Sequence, residues 1–296
     1  MQGDSKLVAA RSRKIRVFEV EWVYSFALIF SFAPILYCVE YVTCIFSGQL
    51  GNQLFEAAAC IGYALDYGCE ARFPDLVNAR DAEENLRYVL NRLNRDPFPE
   101  GTEFISHAPP GERLYAPIPH YKGHNVRIDG FCQAEGYFSR HEEAIRQLFG
   151  PTDEILEAIY WKYGHLLQET TVAVHVRTFQ KDGWDPRATF QTGYYLAAMN
   201  EFPKDAHFLV FSDSPEWTKS NFPKGGRKVT FIEGNPAYFD FYFMSLCDHQ
   251  IVSYSSTFSW WAAWLNSNPD KIVVAADPFR RTRRNDDFIP KSWIKH

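Results

Sequence analysis

From residue 172 onward, short apolar runs alternate with helical patterns, and this alternation constrains the fold more than any other feature. Strands are expected at 172–177, 207–211, 229–232, 250–253 and 271–275. Helical spacing falls between most of them, at 194–202, 216–221, 238–247 and 259–266. Such alternation implies a parallel sheet covered by helices. Ligands of parallel sheets bind beyond the carboxyl ends of the strands. The polar residues at those ends are therefore the informative ones: Arg177, Ser212 with Asp213, and the stretch 255–259.

The first half is less regular. Residues 41–46 form an apolar strand that enters the turn Ser47-Gly48-Gln49-Leu50-Gly51-Asn52-Gln53. Leu54, Ala58, Ile61 and Leu65 then recur at helical spacing, with Asn52 as the expected N-cap. Gly48 and Gly51 allow the backbone to approach a ligand closely, although a simple tight turn needs glycine as well. Residues 72–125 are rich in proline and read as long loops around one helix at 82–93. A strand at 126–131 and helices at 142–149 and 153–167 follow, with a boundary at 150–151.

The chain has 296 residues, 46% hydrophobic and 17% aromatic, which suffices for one large domain or two moderate ones. A net charge of −5 argues against a dedicated nucleic-acid binder. None of the six cysteines forms a C-x-x-C pair or sits at zinc-like spacing from a histidine. Cys44, Cys60 and Cys247 read as buried small hydrophobes, so neither a disulfide framework nor a metal site is expected. Residues 1–21 carry Lys6, Arg11, Arg13, Lys14 and Arg16, and residues 22–39 are uncharged. That run is near the lower limit of a transmembrane helix, with its basic flank on the cytoplasmic side. Pro34 interrupts it, and Glu19 and Glu21 crowd its entrance. It is either a membrane anchor for an otherwise cytoplasmic protein or an apolar extension.

Three strand ends carry the chemistry. His175 and Arg177 lie two apart and share a strand face. Arg177 can hold a phosphate through its planar fork or can simply pair with a carboxylate. Asp213 can accept from a base or sugar hydroxyl, or cap the next helix. The run Ser255-Ser256-Thr257-Phe258-Ser259 opens the Trp-rich helix, where hydroxyls and backbone N–H groups suit an anion. The alternative is that Ser255 or Ser259 only caps that helix and its three tryptophans only fill a core.

Taken together, these segments resemble glycosyltransferase family 11, the α-1,2-fucosyltransferases. Gly48 to Phe55 is similar to its G-G-L-G-N-Q-M-F turn, and Val174-His175-Val176-Arg177 to its H-x-R-R-x-D strand end. Gly193-Tyr194-Tyr195 is similar to D-Y-Y, Phe211-Ser212-Asp213 to F-S-D-D, and Met244 to Cys247 to M-S-x-C. Ser256 to Leu265 resembles N-S-T-F-S-W-W-A-A-W-L, and Pro290 to Ile294 a typical C-terminal ending. Order and spacing match over residues 41–296.

The resemblance implies an α/β fold of the GT-B type, with two Rossmann-like lobes, parallel sheets and an interlobe cleft. The acceptor side would be 41–165 and the GDP-sugar side 166–296. It implies inverting, metal-independent transfer of L-fucose from GDP-fucose to a sugar hydroxyl of a galactose-terminated oligosaccharide or glycoconjugate. His175, Arg177, Asp213, Ser256, Thr257, Phe258 and Ser259 would bind the donor; Gly48, Gly51 and Asn52 would face the cleft. Two departures matter. Thr178 replaces the second arginine of the family pair, and Ser255 replaces an asparagine; Lys181 or a residue of Arg280 to Arg284 would compensate, although that basic cluster reads better as a solvated face beside Asp286 and Asp287. The family's nearby aspartate is displaced, leaving Asp182 and Asp185 beside Arg177 as catalytic candidates, with Glu56 a further base or only a surface helix residue. A transferase with another donor or linkage, or a catalytically weak nucleotide- or sugar-binding relative, are the alternatives.

Overall fold

Among the described residues every strand pairing is parallel, and the strands divide into two sheets. The computed structural model describes residues 40–296, apart from 184, 187–189, 255 and 278–286. The apolar run 22–39, Ser255, Arg280 to Arg284 and the side chain of Lys181 lie outside the described residues.

The first sheet is built from β1 (Tyr41–Cys44), β2 (Glu70–Ala71), β3 (Phe104–His107) and β4 (Asn125–Ile128), in the order β2-β1-β4-β3. Helix α1 (Leu50–Tyr67) follows β1, α2 (Ala82–Tyr88) follows β2, and α3 (Glu142–Phe149) and α4 (Asp153–Tyr163) follow β4. The second sheet comprises β5 (Thr171–Val176), β6 (His207–Ser212), β7 (Lys228–Ile232), β8 (His249–Val252), β9 (Val273–Ala275) and β10 (Ile294–Lys295). Its helices are α5 (Thr192–Met199), α6 (Pro215–Asn221), α7 (Ala237–Leu246) and α8 (Thr257–Leu265).

The strand order β7-β6-β5-β8-β9-β10 is that of a doubly wound sheet. The chain moves outward from β5 to β7, then returns to place β8 on the other side of β5. Adjacent connections therefore diverge between β5 and β8, and a crevice opens at their carboxyl ends. All six residues of β5 are buried, as befits a central strand covered on both faces. No helix among the described residues is long and apolar enough to cross a membrane.

Helix α8 joins the two sheets. Seven of its nine residues, Ser259 to Leu265, are buried. Trp260 and Trp261 meet Phe55 of α1 at ring distances of 4.5 and 5.0 Å, and Phe138 stacks on Trp261 at 5.1 Å. The Trp260 indole N–H donates to the Phe288 carbonyl at 2.6 Å. One continuous core therefore contains residues from β1 through β9.

Several sequence expectations shift. β2, β3 and β10 have two to four residues, too few to leave a periodic signal, and each lies at a sheet edge. β3 sits inside the proline-rich region expected to be loop. The expected helix 82–93 stops at Tyr88, and 153–167 stops at Tyr163, before Gly164. Asn52 is not the N-cap of α1. The helix starts at Leu50 with Gln49 in the cap position, and Asn52 lies inside the first turn.

Candidate active site at the cleft

Arg177 emerges where β5 ends. Its backbone N–H donates to Ser253 Oγ at 2.9 Å, so the ends of β5 and β8 are tied across the switch point. Its guanidinium is a hub. Nη1 donates to Asp213 Oδ2 at 2.7 Å, and Nη2 to Asp182 Oδ2 at 2.7 Å and Gln49 Oε1 at 3.0 Å. Gln49 belongs to the turn before α1, so the arginine bridges the two sheets. The fork lies 4.5 Å above the Phe179 ring, and its side chain is 13% exposed.

Asp213 is the counterpart that fixes this end of β5. One oxygen accepts from the Thr178 N–H at 2.8 Å and the Thr178 hydroxyl at 2.9 Å. The other accepts from Arg177 and from the Phe179 N–H at 3.0 Å. These four donors hold Phe179 at φ 55°, uncommon for a bulky residue. Asp213 does not cap α6, whose cap position is Ser214. Its oxygens position Arg177. Thr178 is fully buried, and its hydroxyl also meets Ser214 Oγ at 2.8 Å. Position 178 thus faces inward, away from the face shared by His175 and Arg177.

His175 is buried, with Nδ1 3.4 Å from Ser256 Oγ. Burial pushes its imidazole down to about 4; Asp213 opposes this and Arg177 reinforces it. The ring is therefore neutral near pH 7 and supports Ser256 rather than supplying charge to an anion. Ser256 is the N-cap of α8, accepting from the Ser259 N–H at 3.4 Å. Ser259 Oγ in turn accepts from the Ser253 N–H at 3.3 Å. Both hydroxyls are buried and spent on the turn from β8 to α8. The side chains at this helix start with partial exposure are Thr257 and Phe258. Phe258 packs between His175 and Phe241, at 5.6 and 5.3 Å.

The cleft turn is equally well fixed. Gly48 has φ +74°, open to glycine at no cost, and a Cβ there would lie 2.4 Å from the Asn52 amide. A Cβ on Gly51 would lie 2.5 Å from the Thr257 carbonyl carbon and 2.6 Å from the Phe258 nitrogen. Gly51 is therefore what lets the first turns of α1 and α8 touch. Two helix N-termini, each with a positive dipole end, converge beside Arg177. Asn52 Oδ1 accepts from Gln133 at 3.1 Å. Gln53 donates to the carbonyls of Gly48 and Arg80 at 3.2 and 2.8 Å, and accepts from Asn85 at 3.0 Å.

Asp182 joins Arg177 to Arg80, whose Nη2 is 3.3 Å away. Asp185 is exposed. Glu56 is neither a surface residue nor near this cluster's arginine. It is buried in α1, and both its oxygens accept from the Ser47 N–H at 3.1 Å. Burial pushes its carboxyl up to about 8, against the pull of that N–H. The sequence reading missed Gln49, Gln53 and Arg80 as site-builders. Only the shared turn with Gly48 and Gly51 pointed to the glutamines; nothing pointed to Arg80. Among the described residues, no cluster of three His, Cys, Asp or Glu side chains could hold a metal ion.

A guanidinium thus stands at the switch point of a parallel sheet, beside two helix starts, in an α/β protein of two sheets. The class these features define is that of doubly wound α/β proteins with two parallel sheets. The family model of glycosyl transferase family 11 matches residues 114–295, and the chain belongs to this family. An α-1,2-colitosyltransferase of Escherichia coli is 32% identical over 184 residues, covering 58% of this chain and 62% of that protein. The chain thus spans less than two thirds of that relative's length. The O-antigen biosynthesis glycosyltransferase WbnK of Escherichia coli is 33% identical over 88 residues, 29% of each chain. A solved structure of the α-1,6-fucosyltransferase NodZ soaked with GDP-fucose aligns with a TM-score of 0.49 at 16% identity, covering 77% of this chain and 92% of that one.

Proposed function

We propose that this chain transfers L-fucose from GDP-fucose to a sugar hydroxyl, with inversion, an α-1,2 linkage and no metal requirement. The observation that carries the reading is Arg177, fixed by Asp213 at the β5–β8 switch point and aimed at two converging helix N-termini. As the glycosidic bond breaks, negative charge grows on the β-phosphate of the leaving GDP. A fixed guanidinium and oriented N–H groups stabilise that charge without reorganising. When the donor enters, its phosphate takes the place of Asp182 or Gln49 on Nη2, while Asp213 retains Nη1. Thr257 Oγ1 and the first-turn N–H groups of α8 complete the cradle. His175, Ser256 and Ser259 act beneath it by shaping the turn, and Phe258 packs against His175. Gly48, Gly51 and Asn52 form the opposite wall. The attacking hydroxyl must lose a proton; Asp182, bonded to Arg177, and the exposed Asp185 three residues on are the candidate carboxylates.

A second reading keeps the chemistry and changes the sugar. It is favoured by Thr178, which departs from the family arginine pair, and by the likeness to a colitosyltransferase. Calorimetric titration of the full chain with GDP, GDP-fucose, GDP-colitose and GDP-mannose, with and without chelator, separates the readings. Binding of GDP-fucose that survives chelator and is lost in Arg177→Ala supports the first. Preference for another GDP-sugar selects the second. No binding of any of these by the folded protein overturns both.

A further inference from the structure

Asp182 is shared by two guanidiniums that belong to different sheets. Its Oδ2 accepts from Arg177 Nη2 at 2.7 Å, and its Oδ1 from Arg80 Nη2 at 3.3 Å. Arg177 follows β5 of the second sheet, whereas Arg80 follows β2 of the first and precedes α2. Two cations thus meet the two oxygens of one small anion. A phosphate group presents neighbouring oxygens in the same way, and guanidinium forks bind it well.

The Arg80 side chain is 56% exposed, yet its backbone is fixed by buried groups. The fully buried Gln53 amide donates to the Arg80 carbonyl at 2.8 Å, and the buried Asn85 amide reaches the same oxygen at 3.3 Å. The Ala82 N–H closes a turn on the Ala79 carbonyl at 3.2 Å, with Asp81 at φ 57°, which aspartate tolerates better than most residues. Gln53 also donates to the Gly48 carbonyl at 3.2 Å, one residue before Gln49, which accepts from Arg177. The backbone under Arg80 is therefore registered to the same turn that touches Arg177. Two buried amides on one carbonyl are more than an exposed ion pair requires, because such a pair contributes little stability. The local charges allow an anion once Asp182 gives way. Asp213 stays on Arg177 Nη1, and Asp81 lies 3.8 Å from Arg80 Nε, too far for a hydrogen bond. Two guanidiniums then balance two carboxylates, and the first turns of α1 and α8 tip the field toward negative charge.

We infer that Arg80 is a donor-binding residue supplied from the first sheet: with Arg177 it clamps the β-phosphate of a nucleoside diphosphate, which takes over the bridging place of Asp182. The inference rests on the GDP-sugar reading above. Such a clamp ties the two sheets together through the ligand and sets a second guanidinium where charge grows as the sugar leaves. Calorimetric titration of the full chain with GDP and with GMP tests it, on wild type, Arg80→Ala, Arg80→Lys and Asp182→Asn, beside a thermal melt of each. Arg80→Ala should weaken GDP about tenfold or more, as on losing a charge-assisted hydrogen bond, and GMP by less than about twofold. Its melting temperature should stay near that of wild type, since the head of Arg80 is exposed. Arg80→Lys keeps the charge without the fork and should fall between the two. Asp182→Asn removes the competing carboxylate and should tighten GDP about threefold or more. Equal weakening of GDP and GMP in Arg80→Ala would make Arg80 a structural support and overturn the clamp. Unchanged GDP affinity in Arg80→Ala, or GDP binding unchanged or weaker in Asp182→Asn, would overturn it as well. Failure of the GDP-sugar reading has a different signature: the folded wild-type protein binds neither nucleotide.

Discussion

The protein has two crevices at equivalent places, and only one is built as a site. In the second sheet, connections diverge between β5 and β8. In the first, they diverge between β1 and β4. At the β5–β8 crevice the chain ends its strand on Arg177, whose fork is partly open to the cleft. At β1 the chain ends on Cys44 and fills the space with its own buried groups: Cys44, Cys60, Cys132 and Glu56, which holds Ser47. Burial raises the thiols of Cys44 and Cys60, as it raises the carboxyl of Glu56, so all three stay neutral near pH 7. Topology thus opens two crevices, and the side chains at the strand ends give them different chemistry. One crevice presents a fixed cation; the other is sealed by uncharged groups and serves to shape the cleft turn.

The sharpest way to break this comparison is to remove the cation. Arg177→Ala should lower GDP affinity by roughly a hundredfold or more, consistent with a loss of about 3 kcal/mol on truncating one side of a desolvated charge contact. Asp213 keeps its three other donors, so the variant should still unfold cooperatively. Calorimetric titration of GDP beside a thermal melt checks both statements. Retained affinity would mean that the crevice is no more an anion site than its counterpart.

The joint between the crevices comes next. A methyl on Gly51 meets backbone atoms of Thr257 and Phe258, which cannot rotate aside. Gly51→Ala should destabilise the protein by about 2–3 kcal/mol, near the upper range for overpacking. It should also weaken GDP binding by separating the two helix starts. Chemical denaturation measures the first effect. An unchanged midpoint would show that α1 and α8 do not pack as described.

Glu56 tests the sealed crevice. Its folded carboxyl titrates at about 8, against an ordinary value near 4.5. A raised carboxyl contributes stability below the unfolded value and loses it as pH rises through the folded one. Wild-type stability from this group therefore declines between pH 4.5 and 8. Glu56→Gln should remove that decline, which amounts to roughly 4 kcal/mol at about 1.4 kcal/mol per pH unit, and be the more stable protein at pH 8. Melting temperatures of both proteins at pH 5, 7 and 8 check it. Parallel pH profiles would mean that Glu56 is not held neutral.

Much of the β5–β8 crevice was legible in the sequence, and much of the β1 crevice was not. The strand 172–177 is apolar but for His175 up to Arg177, so its end and its charge stand out together. The Trp-rich stretch marks α8 because a hydroxyl cap precedes an unbroken apolar helix. What the sequence hid was direction. Ser256, Ser259 and His175 look like ligand groups in a linear motif, yet their side chains turn inward to build the β8–α8 turn. Asp213 reads as a polar strand end, and its bonds to Arg177, Thr178 and Phe179 are not legible in the motif. Glu56 looks like a surface charge because α1 has acidic and apolar residues side by side; only the closeness of Ser47 shows why burial is tolerated. Edge strands of two to four residues lack the length to show a period, and Arg80 has no motif around it.

The smallest effect concerns the support under the anion site. Ser256 caps α8 and touches His175, but both contacts are 3.4 Å long and so near the limit of hydrogen bonding. Ser256→Ala should cost about 1 kcal/mol of stability, the ordinary value of an N-cap. If Ser256 acts only through the turn, GDP affinity should fall by no more than a few-fold, far less than in Arg177→Ala. His175 sharpens this. Its depressed imidazole contributes stability above the unfolded value near 6.5, lost as pH falls toward about 4. Removing the Ser256 hydroxyl leaves the burial of the ring in place, so the acid limb of the stability profile should keep its position while the whole curve drops. A melt series from pH 4 to 7 on both proteins reads this directly. A large loss of GDP binding with stability unchanged would instead place the Ser256 hydroxyl on the ligand and make the open crevice wider than the geometry shows.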